Sequence, residues 1–373
     1  MKFVLSTIAG VESIAKKEIE RLGGKIENTT DRLITFSGEA ELIAKVNLWS
    51  RVGNKLYLLL GEFDDVTDFE YFFDIVKSIS YAKYFKKNNP ILVKSSTNKS
   101  ELFSPRTIQS LGKKAIIKSL VGDGIYTEDE KQEKVEILFL FINNKLRILL
   151  NTSGEALHKR GYRSDAGEAP IKESLAAALV LLSDWKFKQN FYDPFCGSGT
   201  IVIEALMIAK NIAPGLNRKF AFEKLGLLQS EIIENERKLA KTKEFSGDYK
   251  IFASDIDENM LEIAKKNAKK AGLDKEIVFE KKDFREYVSK QDLTGTLVSN
   301  PPYGERLKVE DLESLYNSID KIFRKNKDLN GGIISNFLDF DKLIKKDSYK
   351  KRKLYNGGEL CYFWKKNIYK KIN

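Results

Sequence analysis

The second half of the sequence alternates apolar strands with helices, and this alternation constrains the fold more than any other feature. It begins near Glu168 with the helical stretch IKESLAAALVLLSDW, the apolar strand NFYDPF and the helix TIVIEALMIAK. The strand IFASDID, the helix NMLEIAKKNAKKAG and the strands IVFEKKDF and TLVSNPP follow. Strands that alternate with helices predict an α/β fold with a doubly wound parallel sheet. A charged segment from Asn211 to Lys250 is predicted to be a mostly helical insertion.

The first half of the chain predicts two smaller α+β units. Residues 1–60 follow the order strand, helix, strand, helix, strand, which is typical of a ferredoxin-like unit. Residues 61–155 end with two apolar strands, VEILFLFINN and KLRILLNTS, and Asn143–Lys145 is predicted to be the hairpin turn between them. The polar, basic residues 156–167 are predicted to link these units to the alternating half, residues 168–373.

Composition narrows the classes of partner. The formal net charge of +11 and the pI of about 9.2 favour a polyanionic partner such as nucleic acid. No run of about 18 apolar residues is present, so we expect no transmembrane helix and a cytoplasmic location. Two cysteines, Cys196 and Cys361, and a single histidine, His158, provide neither a metal-ligand spacing nor a disulfide framework. No metal site is therefore expected.

A glycine-containing loop, DPFCGSGT, lies where the first parallel strand should turn into its helix. Gly197 and Gly199 would let the backbone pass close to a ligand. A tight turn would explain a bare pair of such glycines equally well. The third glycine of the dinucleotide fingerprint is missing, since Val202 stands there, and so is the lysine of a P-loop. The loop therefore does not predict a pyrophosphate or a triphosphate as its ligand.

Two later acids narrow the choice of ligand. Asp255 ends the second strand, where a carboxylate can accept hydrogen bonds from both hydroxyls of a ribose. Asp257 is an alternative, but its position predicts the N-cap of the next helix. Asp283 ends the third strand, and Phe284 beside it could pack on a purine. Each acid alone could be a cap or turn residue, but acids at successive strand ends of one sheet predict an adenosine site.

The motifs DPFCGSGT, SDID, KKDF and NPPYGERL, in this order, resemble those of a class I S-adenosylmethionine-dependent methyltransferase. With LHKRGYR followed by APIKESLAAALV, the whole chain resembles the THUMP-domain RNA guanine-N2 methyltransferases, such as the bacterial family that acts on 23S rRNA. Members of that family are often labelled N6-adenine-specific DNA methylases. The resemblance implies a Rossmann-like methyltransferase domain preceded by a ferredoxin-like domain (1–60) and a THUMP domain (61–155) that binds RNA.

The resemblance also implies which residues bind the cofactor, S-adenosylmethionine. Its methionine part would lie over the glycine loop, and the segment APIKES would close over it. The ribose would be held at the end of the second strand and the adenine at the end of the third. The residues so implied are Pro170, Lys172, Glu173, Asp193, Phe195, Gly197, Gly199, Asp255, Asp283 and Phe284.

The stretch NPPY suits methylation of an exocyclic amine, a poor nucleophile because its lone pair is delocalised into the base. The side-chain oxygen of Asn300 and the carbonyl of Pro301 could accept the two N–H groups of the amine and aim its lone pair at the methyl carbon. Pro302 holds the backbone extended without adding a donor, and Tyr303 offers a face on which the base can stack. Catalysis would then be mainly positioning. An ordinary strand exit would also explain this tetrapeptide if it stood alone.

RNA contacts are predicted on basic stretches away from the pocket, because a base that is flipped out of a large RNA also needs phosphate contacts. The candidates are Lys159, Arg160, Arg163, Lys351 and Arg352, together with the stretch from Lys94 to Arg106.

Three functions remain open from the sequence. The first is methylation of guanine N2 in RNA, either 23S rRNA or tRNA. The second is methylation of adenine N6 in RNA or DNA, because NPPY serves either amine. The third is an RNA chaperone or ribosome assembly factor without activity, which the intact loop and NPPY disfavour. A monomer is favoured, although the sequence leaves the oligomeric state open.

Overall fold

The computed structural model describes residues 1–163, 171–289, 292–302, 309–337, 340–344 and 348–367. The chain divides into two compact units. The first consists of Met1–Thr7, Lys16–Leu157 and Arg218–Leu239, and the second of Ile8–Ala15, His158–Asn217 and Ala240–Asn373.

The N-terminal half folds around one seven-stranded sheet rather than two separate ones. Its strands lie in the order β2-β3-β1-β4-β7-β6-β5. The long strand β4 pairs with β1 on one side and with β7 on the other, so the predicted boundary at residue 60 falls within a strand. The elements are β1 (Lys2–Thr7), α1 (Glu12–Arg21), β2 (Lys25–Thr30), β3 (Leu33–Ser37), α2 (Leu42–Trp49), β4 (Gly53–Phe63), α3 (Phe69–Ser78), β5 (Ile91–Asn98), α4 (Pro105–Val121), β6 (Val135–Ile142) and β7 (Lys145–Asn151).

The predicted hairpin turn between β6 and β7 is confirmed. Asn143 and Asn144 both have positive φ, 52° and 61°, as the two central residues of a type I′ turn require. The two strands pair antiparallel from Ile142 and Lys145 outward. Asparagine tolerates this left-handed backbone better than most residues do, which explains why the local sequence predicted the turn correctly.

The second half folds around another seven-stranded sheet, in the order β10-β9-β8-β11-β12-β14-β13. The first five strands in this order are parallel. Four of them, β8 to β11, were predicted from the alternation, whereas β12 was not. The elements are α5 (Glu173–Leu182), β8 (Phe191–Asp193), α6 (Thr200–Ala209), α7 (Ala221–Leu225), α8 (Ser230–Thr242), β9 (Ile251–Asp255), α9 (Glu258–Lys270), β10 (Ile277–Lys281), α10 (Arg285–Ser289), β11 (Gly295–Ser299), α11 (Val309–Lys325), β12 (Leu329–Ser335), α12 (Phe340–Leu343), β13 (Tyr349–Asn356) and β14 (Glu359–Lys366).

The last two strands depart from the expected parallel arrangement. β14 inserts antiparallel between β12 and β13, and β13 forms a hairpin with it at the edge of the sheet. The basic stretch that contains Lys351 and Arg352, YKKRKLY, was predicted only to contact RNA, but it is an edge strand. Its exposed lysines obscured the strand pattern, although lysines on an edge strand are a common protection against pairing with other chains.

The predicted insertion is confirmed as helical, since it contains α7 and α8. Part of it, Arg218–Leu239, belongs to the first unit. The Phe222 N–H donates to the Thr152 carbonyl at 3.0 Å, and Lys224 pairs with Glu133 at 2.8 Å. In the part of the chain that the structure describes, no helix is both long enough and apolar enough to cross a membrane.

Candidate cofactor and methyl-transfer site

The order of the strands reverses at the centre of the second sheet, and this switch point predicts where the candidate site lies. β8 lies between β9 and β11, so the chain runs outward on both sides of it. In open α/β sheets ligands bind outside the carboxyl ends of the strands at such a switch point. Asp193, Asp255 and Asn300 stand at or just after the carboxyl ends of these three neighbouring strands.

The two glycines of the loop after β8 serve different purposes. Both have positive φ, 50° at Gly197 and 80° at Gly199. A Cβ on Gly199 would lie 3.0 Å from the Cβ of Ala264, so this glycine lets α9 pack closely against the loop. A Cβ on Gly197 would meet nothing closer than Met260, at 3.7 Å. A Cβ at this position would be in ordinary van der Waals contact, so glycine is favoured at Gly197 by its left-handed φ rather than by a lack of space.

Asp255 ties the second strand to this loop. One of its carboxylate oxygens accepts the Gly197 N–H at 2.8 Å, and the other accepts the Asp257 N–H at 3.0 Å. Asp257 itself caps α9, because its side chain accepts the Asn259 N–H at 2.8 Å, which confirms that prediction. The carboxylate of Asp255 thus has a fixed orientation at the strand end, with lone pairs left for a ligand hydroxyl.

Ser299 joins the cofactor loop to the strand that leads into NPPY. Its hydroxyl donates to the Asp193 carboxylate and accepts the Phe195 N–H at 3.2 Å. This contact follows from the parallel pairing of β11 with β8, in which Leu297 lies opposite Tyr192. Ser299 was not among the predicted site residues, and its position directly before Asn300 was the one available signal in the sequence.

The carboxyl group of Asp193 is suited to a cationic ligand group. The residue is only 1% exposed, and its Oδ2 has no hydrogen-bond partner in the described part of the chain. Burial, the largest influence, and the nearby Asp255 together raise the pKa of Asp193 to about 7, against the lowering effect of the hydrogen bonds from Ser299 and Phe195. A buried carboxyl with one oxygen unmatched could pair with an ammonium or sulfonium group.

Asn300 and the two prolines follow β11 without interruption. Asn300 and Pro302 are half-buried and Pro301 is buried. Because Ser299 contacts the loop at Asp193, Asn300 begins one residue from the candidate cofactor site. Tyr303 lies outside the described residues, as does Pro170.

Comparison with known proteins identifies the family to which the chain belongs. A family profile described as the RMKL-like methyltransferase domain matches residues 160–363, and one described as the RlmL ferredoxin-like domain matches residues 2–57. The chain belongs to the RMKL-like methyltransferase family. The ferredoxin-like unit and the Rossmann-like methyltransferase fold predicted from the sequence are both confirmed.

Several relatives cover nearly all of this RMKL-like methyltransferase. YpsC of Bacillus subtilis (strain 168), named for an expected RNA methyltransferase activity, is 36% identical over 367 residues, which cover 96% of this chain and 94% of YpsC. The crystal structure of SMU.472, a methyltransferase by its description, is a complex with S-adenosylhomocysteine. It is 34% identical, with a TM-score of 0.90 and coverage of 100% and 99%. A Listeria monocytogenes protein described as a predicted N6-adenine-specific DNA methylase is 33% identical, with a TM-score of 0.89 and coverage of 97% and 95%.

At the third strand end of this RMKL-like protein, Asp283 and Phe284 have protein partners. Asp283 accepts hydrogen bonds from the Arg285 side chain, which lowers the pKa of Asp283. The Phe284 ring packs 4.7 Å from that of Phe195, measured between centroids, and the residue is only 4% exposed. Phe284 thus packs against Phe195 of the loop, and its contact with adenine stays a prediction.

The segment before α5 is anchored to the cofactor loop. Arg163 donates to the Ile171 carbonyl at 2.8 Å and to the hydroxyl of Thr200, the first residue of α6, at 2.9 Å. It also pairs with the buried Glu173 at 3.5 Å, and burial raises the pKa of Glu173. Lys172 is half-buried at the N-cap of α5. Arg163 was predicted to contact RNA, but these contacts give it a structural task within the site.

Arg160 requires a correction. It was predicted to contact RNA, yet it is only 3% exposed, and its Nε lies 3.5 Å from the fully buried carboxylate of Glu204 on α6. Tyr162 donates to the same carboxylate at 3.1 Å. Arg160 is thus part of an interior ion pair, whereas its neighbour Lys159 is exposed. Burial also lowers the pKa of His158 to about 4, so this histidine is neutral at physiological pH.

The predicted basic patch on β13 also makes contacts within the chain. The Lys351 ammonium lies 4.1 Å from the ring centroid of Tyr362 and 4.4 Å from that of Trp364. Arg352 donates to the Gly10 carbonyl at 2.9 Å and to the Ser13 hydroxyl at 3.1 Å. RNA contacts by Lys351 and Arg352 stay predictions. In the described part of the chain, no group of three His, Cys, Asp or Glu residues could hold a metal ion.

Proposed function

We propose that this RMKL-like methyltransferase transfers a methyl group from S-adenosylmethionine to the exocyclic N2 amine of a guanosine in RNA, with 23S rRNA as its substrate. The observation that carries the proposal is the contact of Ser299 with Asp193 and Phe195. It brings the start of NPPY to the loop expected to hold the cofactor. A donor site and an amine-binding site must adjoin for direct transfer, because the reacting atoms have to approach within about 3–3.5 Å.

The residues around the loop fit S-adenosylmethionine. The unmatched oxygen of Asp193 suits a cationic group, and the carboxylate of Asp255 suits ribose hydroxyls. Gly197 places no side chain between the loop backbone and a ligand. SMU.472, a relative over its whole length, is a complex with S-adenosylhomocysteine. When bound, S-adenosylmethionine supplies an electrophilic methyl group on a sulfonium. Lys172, Glu173, Asp283 and Phe284 complete the proposed cofactor site.

The chain's own part in the reaction is to orient the amine. The Asn300 side-chain oxygen and the Pro301 carbonyl accept its two N–H groups, which directs the nitrogen lone pair toward the cofactor. Pro302 keeps this backbone extended and adds no N–H that could compete. Tyr303 is proposed to stack on the flipped base. The methylated amine then releases its proton to water, so no general base is required.

The N-terminal half is proposed to bind the RNA. Within our proposed division, residues 1–60 form the ferredoxin-like domain, 61–155 a THUMP domain, 156–167 the linker and 168–373 the methyltransferase domain. The net charge of +11 favours a polyanion, and the name of the relative YpsC refers to RNA. A cytoplasmic enzyme that acts as a monomer accords with this substrate.

Methylation of adenine N6 is the second candidate, favoured by the description of the Listeria monocytogenes relative. Asn300 and Pro301 could accept the N–H groups of either base. A tRNA is the second candidate for the RNA. Mass spectrometry of nucleosides from a deletion strain separates these cases. We expect N2-methylguanosine to be lost from ribosomal RNA, while its loss from tRNA would redirect the substrate. Loss of N6-methyladenosine instead would contradict guanine methylation.

The role of Asn300 can be tested with Asn300→Ala. We expect kcat to fall about a hundredfold because the amine loses one acceptor that positions it. Affinity for S-adenosylmethionine, measured by isothermal titration, should stay unchanged. Asn300→Asp keeps an acceptor and should retain more activity than Asn300→Ala, and Asn28→Ala, on an exposed strand of the other unit, is the matched control. Full activity of Asn300→Ala would contradict the mechanism.

A further inference from the structure

We infer that residues 99–106, which form the connection after β5 and the first two residues of α4, dock an unpaired stretch of the RNA substrate, with Phe103 as the platform on which one base stacks. The inference rests on the proposed RNA substrate and adds the place and the mode of contact. The site lies in the first unit, on the edge strand β5 and the helix that follows it.

Phe103 is held in solvent by a neighbour that is anchored in the core. The Phe103 side chain is 74% exposed, whereas Leu102 directly before it is 4% exposed. Single exposed apolar side chains are common on protein surfaces, so exposure alone identifies no ligand. An aromatic ring, however, presents a face on which any base can stack.

The charge around the ring indicates the partner. From Lys94 to Lys118 the chain contains six lysine or arginine residues and a single acid, Glu101. Three of the cations are paired, Lys94 with Glu136, Lys113 with Glu128 and Lys118 with Asp123. The others, Lys99, Arg106 and Lys114, form no ion pair with the described residues. Lys99 and Arg106 flank the exposed ring in the sequence, and cations without a protein partner are complementary to a phosphate backbone.

The connection is held in place by the turn between β6 and β7. Asn144 on that turn accepts the Glu101 N–H at 2.8 Å, and its own N–H donates to the Ser100 hydroxyl at 3.0 Å. At the other end, Gln109 on α4 donates to the Ser95 hydroxyl on β5 at 3.2 Å. The ring is thus presented on an ordered segment, which reduces the entropy lost on binding.

An unpaired strand fits this surface better than a duplex. Stacking on a side chain requires a base whose face is free, and in a duplex both faces are covered by neighbouring pairs. The phosphates of such a strand would reach Lys99 and Arg106, which flank Phe103 in the sequence. The surface therefore binds RNA by stacking and charge, without reading base edges.

The stacking can be tested with full-length Phe103→Ala and a fluorescein-labelled single-stranded RNA, followed by fluorescence anisotropy. We expect its Kd to rise about tenfold, while Phe103→Trp keeps the affinity because it keeps an aromatic face. The Kd for a duplex RNA of equal length should change less than about twofold, because its bases are already stacked. Ile125→Ala, at another highly exposed apolar residue of the same unit, is the matched control.

The cations can be tested with Lys99→Ala combined with Arg106→Ala. The slope of log Kd against log salt for the single strand should fall by about 1.4, since each phosphate contact contributes about 0.7. Lys269→Ala combined with Lys270→Ala, two exposed lysines on α9, removes the same charge elsewhere and should leave that slope unchanged.

The outcomes separate this inference from the proposed function. If Phe103→Ala binds RNA like Ile125→Ala, or loses affinity for single strand and duplex equally, the stacking surface is wrong even when guanosine is methylated. That result would also be expected if the surface served a protein partner. If the stacking holds but nucleoside analysis shows no loss of N2-methylguanosine, the docking surface stands and the proposed reaction fails.

Discussion

The carboxyl group of Asp193 holds its proton more tightly than an exposed aspartate does. It is buried at the end of β8, where the hydroxyl of Ser299 and the Phe195 N–H reach one oxygen and nothing in the described part of the chain reaches the other. Burial, the largest influence, and the charge of Asp255 together raise its pKa to about 7. Such a group is neutral or charged depending on what binds beside it.

This pKa predicts a pH dependence of folding. The ordinary pKa of an unfolded aspartate is about 3.9, so the unliganded protein takes up a proton on folding between that value and about 7. The stabilising contribution is complete below the unfolded pKa and is lost as the pH rises through the folded pKa. Asp193→Asn should flatten this part of the stability curve, as measured by urea denaturation across the same pH range.

Cofactor binding should show the opposite trend from the same group. A cationic ligand favours the carboxylate, so affinity for S-adenosylmethionine should rise up to about tenfold per pH unit below pH 7 and level off above it. Isothermal titration of the wild-type protein and of Asp193→Asn measures this. Asp257→Asn, which replaces the cap of α9, should keep the wild-type profile. An affinity independent of pH in the wild type would exclude Asp193 from the cofactor site.

At the scale of elements, one short segment before α5 connects the linker to two helices. Arg160 and Tyr162 reach Glu204 in the middle of α6, and Arg163 reaches both Thr200 at its start and Glu173 on α5. Because α6 begins at the end of the glycine loop, these contacts fix the helix on which the loop ends. The basic residues of HKRGYR therefore differ in their tasks, even though they are adjacent in the sequence.

The pair of Arg160 with Glu204 predicts a large loss of stability when it is broken. Arg160→Met leaves a buried carboxylate without its cation, and we expect the free energy of unfolding to fall by about 3–5 kcal/mol. The double variant Arg160→Met with Glu204→Leu should recover most of that loss, because both charges are gone. Lys159→Met, at the exposed neighbour, should change the free energy of unfolding by less than about 0.5 kcal/mol.

Urea denaturation of the three variants measures these differences in stability. The affinity of Arg160→Met for RNA tests the alternative role, a contact with RNA. Should Arg160→Met be as stable as the wild-type protein but bind RNA more weakly, the interior role of Arg160 would be wrong.

At the scale of the whole molecule, the chain consists of two units, each with its own seven-stranded sheet. Each unit has its own buried apolar cluster, with Val4, Leu140 and Leu149 in the first and Leu297, Tyr316 and Ile333 in the second. Units with separate cores can unfold in separate steps.

Calorimetry should therefore show two unfolding transitions that respond differently to the cofactor. S-adenosylmethionine at a hundred times its Kd should stabilise the second unit by about 2.7 kcal/mol, because it binds only the folded form. The midpoint temperature of the first unit's transition should not change. Asp193→Asn should reduce the stabilisation of the second unit by S-adenosylmethionine. A single transition that moves as a whole would show that the two units unfold together.

Local signals in the sequence predicted much of this protein. The turn at Asn143 and Asn144 and the cap at Asp257 depend on residues only a few positions apart, and all were predicted. Helices α5, α6 and α9 and the parallel strands β8 to β11 followed from the apolar pattern, whereas β12 and α11 were not predicted. The positions of Gly197 and Gly199 followed from the place of the loop between a strand and a helix.

Only the tertiary structure shows the contacts between residues that are far apart in the sequence. Ser299 meets Asp193 across 106 positions of sequence because β11 lies beside β8, and Arg160 meets Glu204 across 44 because the linker passes over α6. The antiparallel hairpin of β13 and β14 likewise depends on which strand lies next to β12. Sequence periodicity shows which side chains share one face of an element, but the neighbour that they meet there depends on strand order and register. Buried charge and catalytic alignment are therefore fixed only when the sheet is assembled.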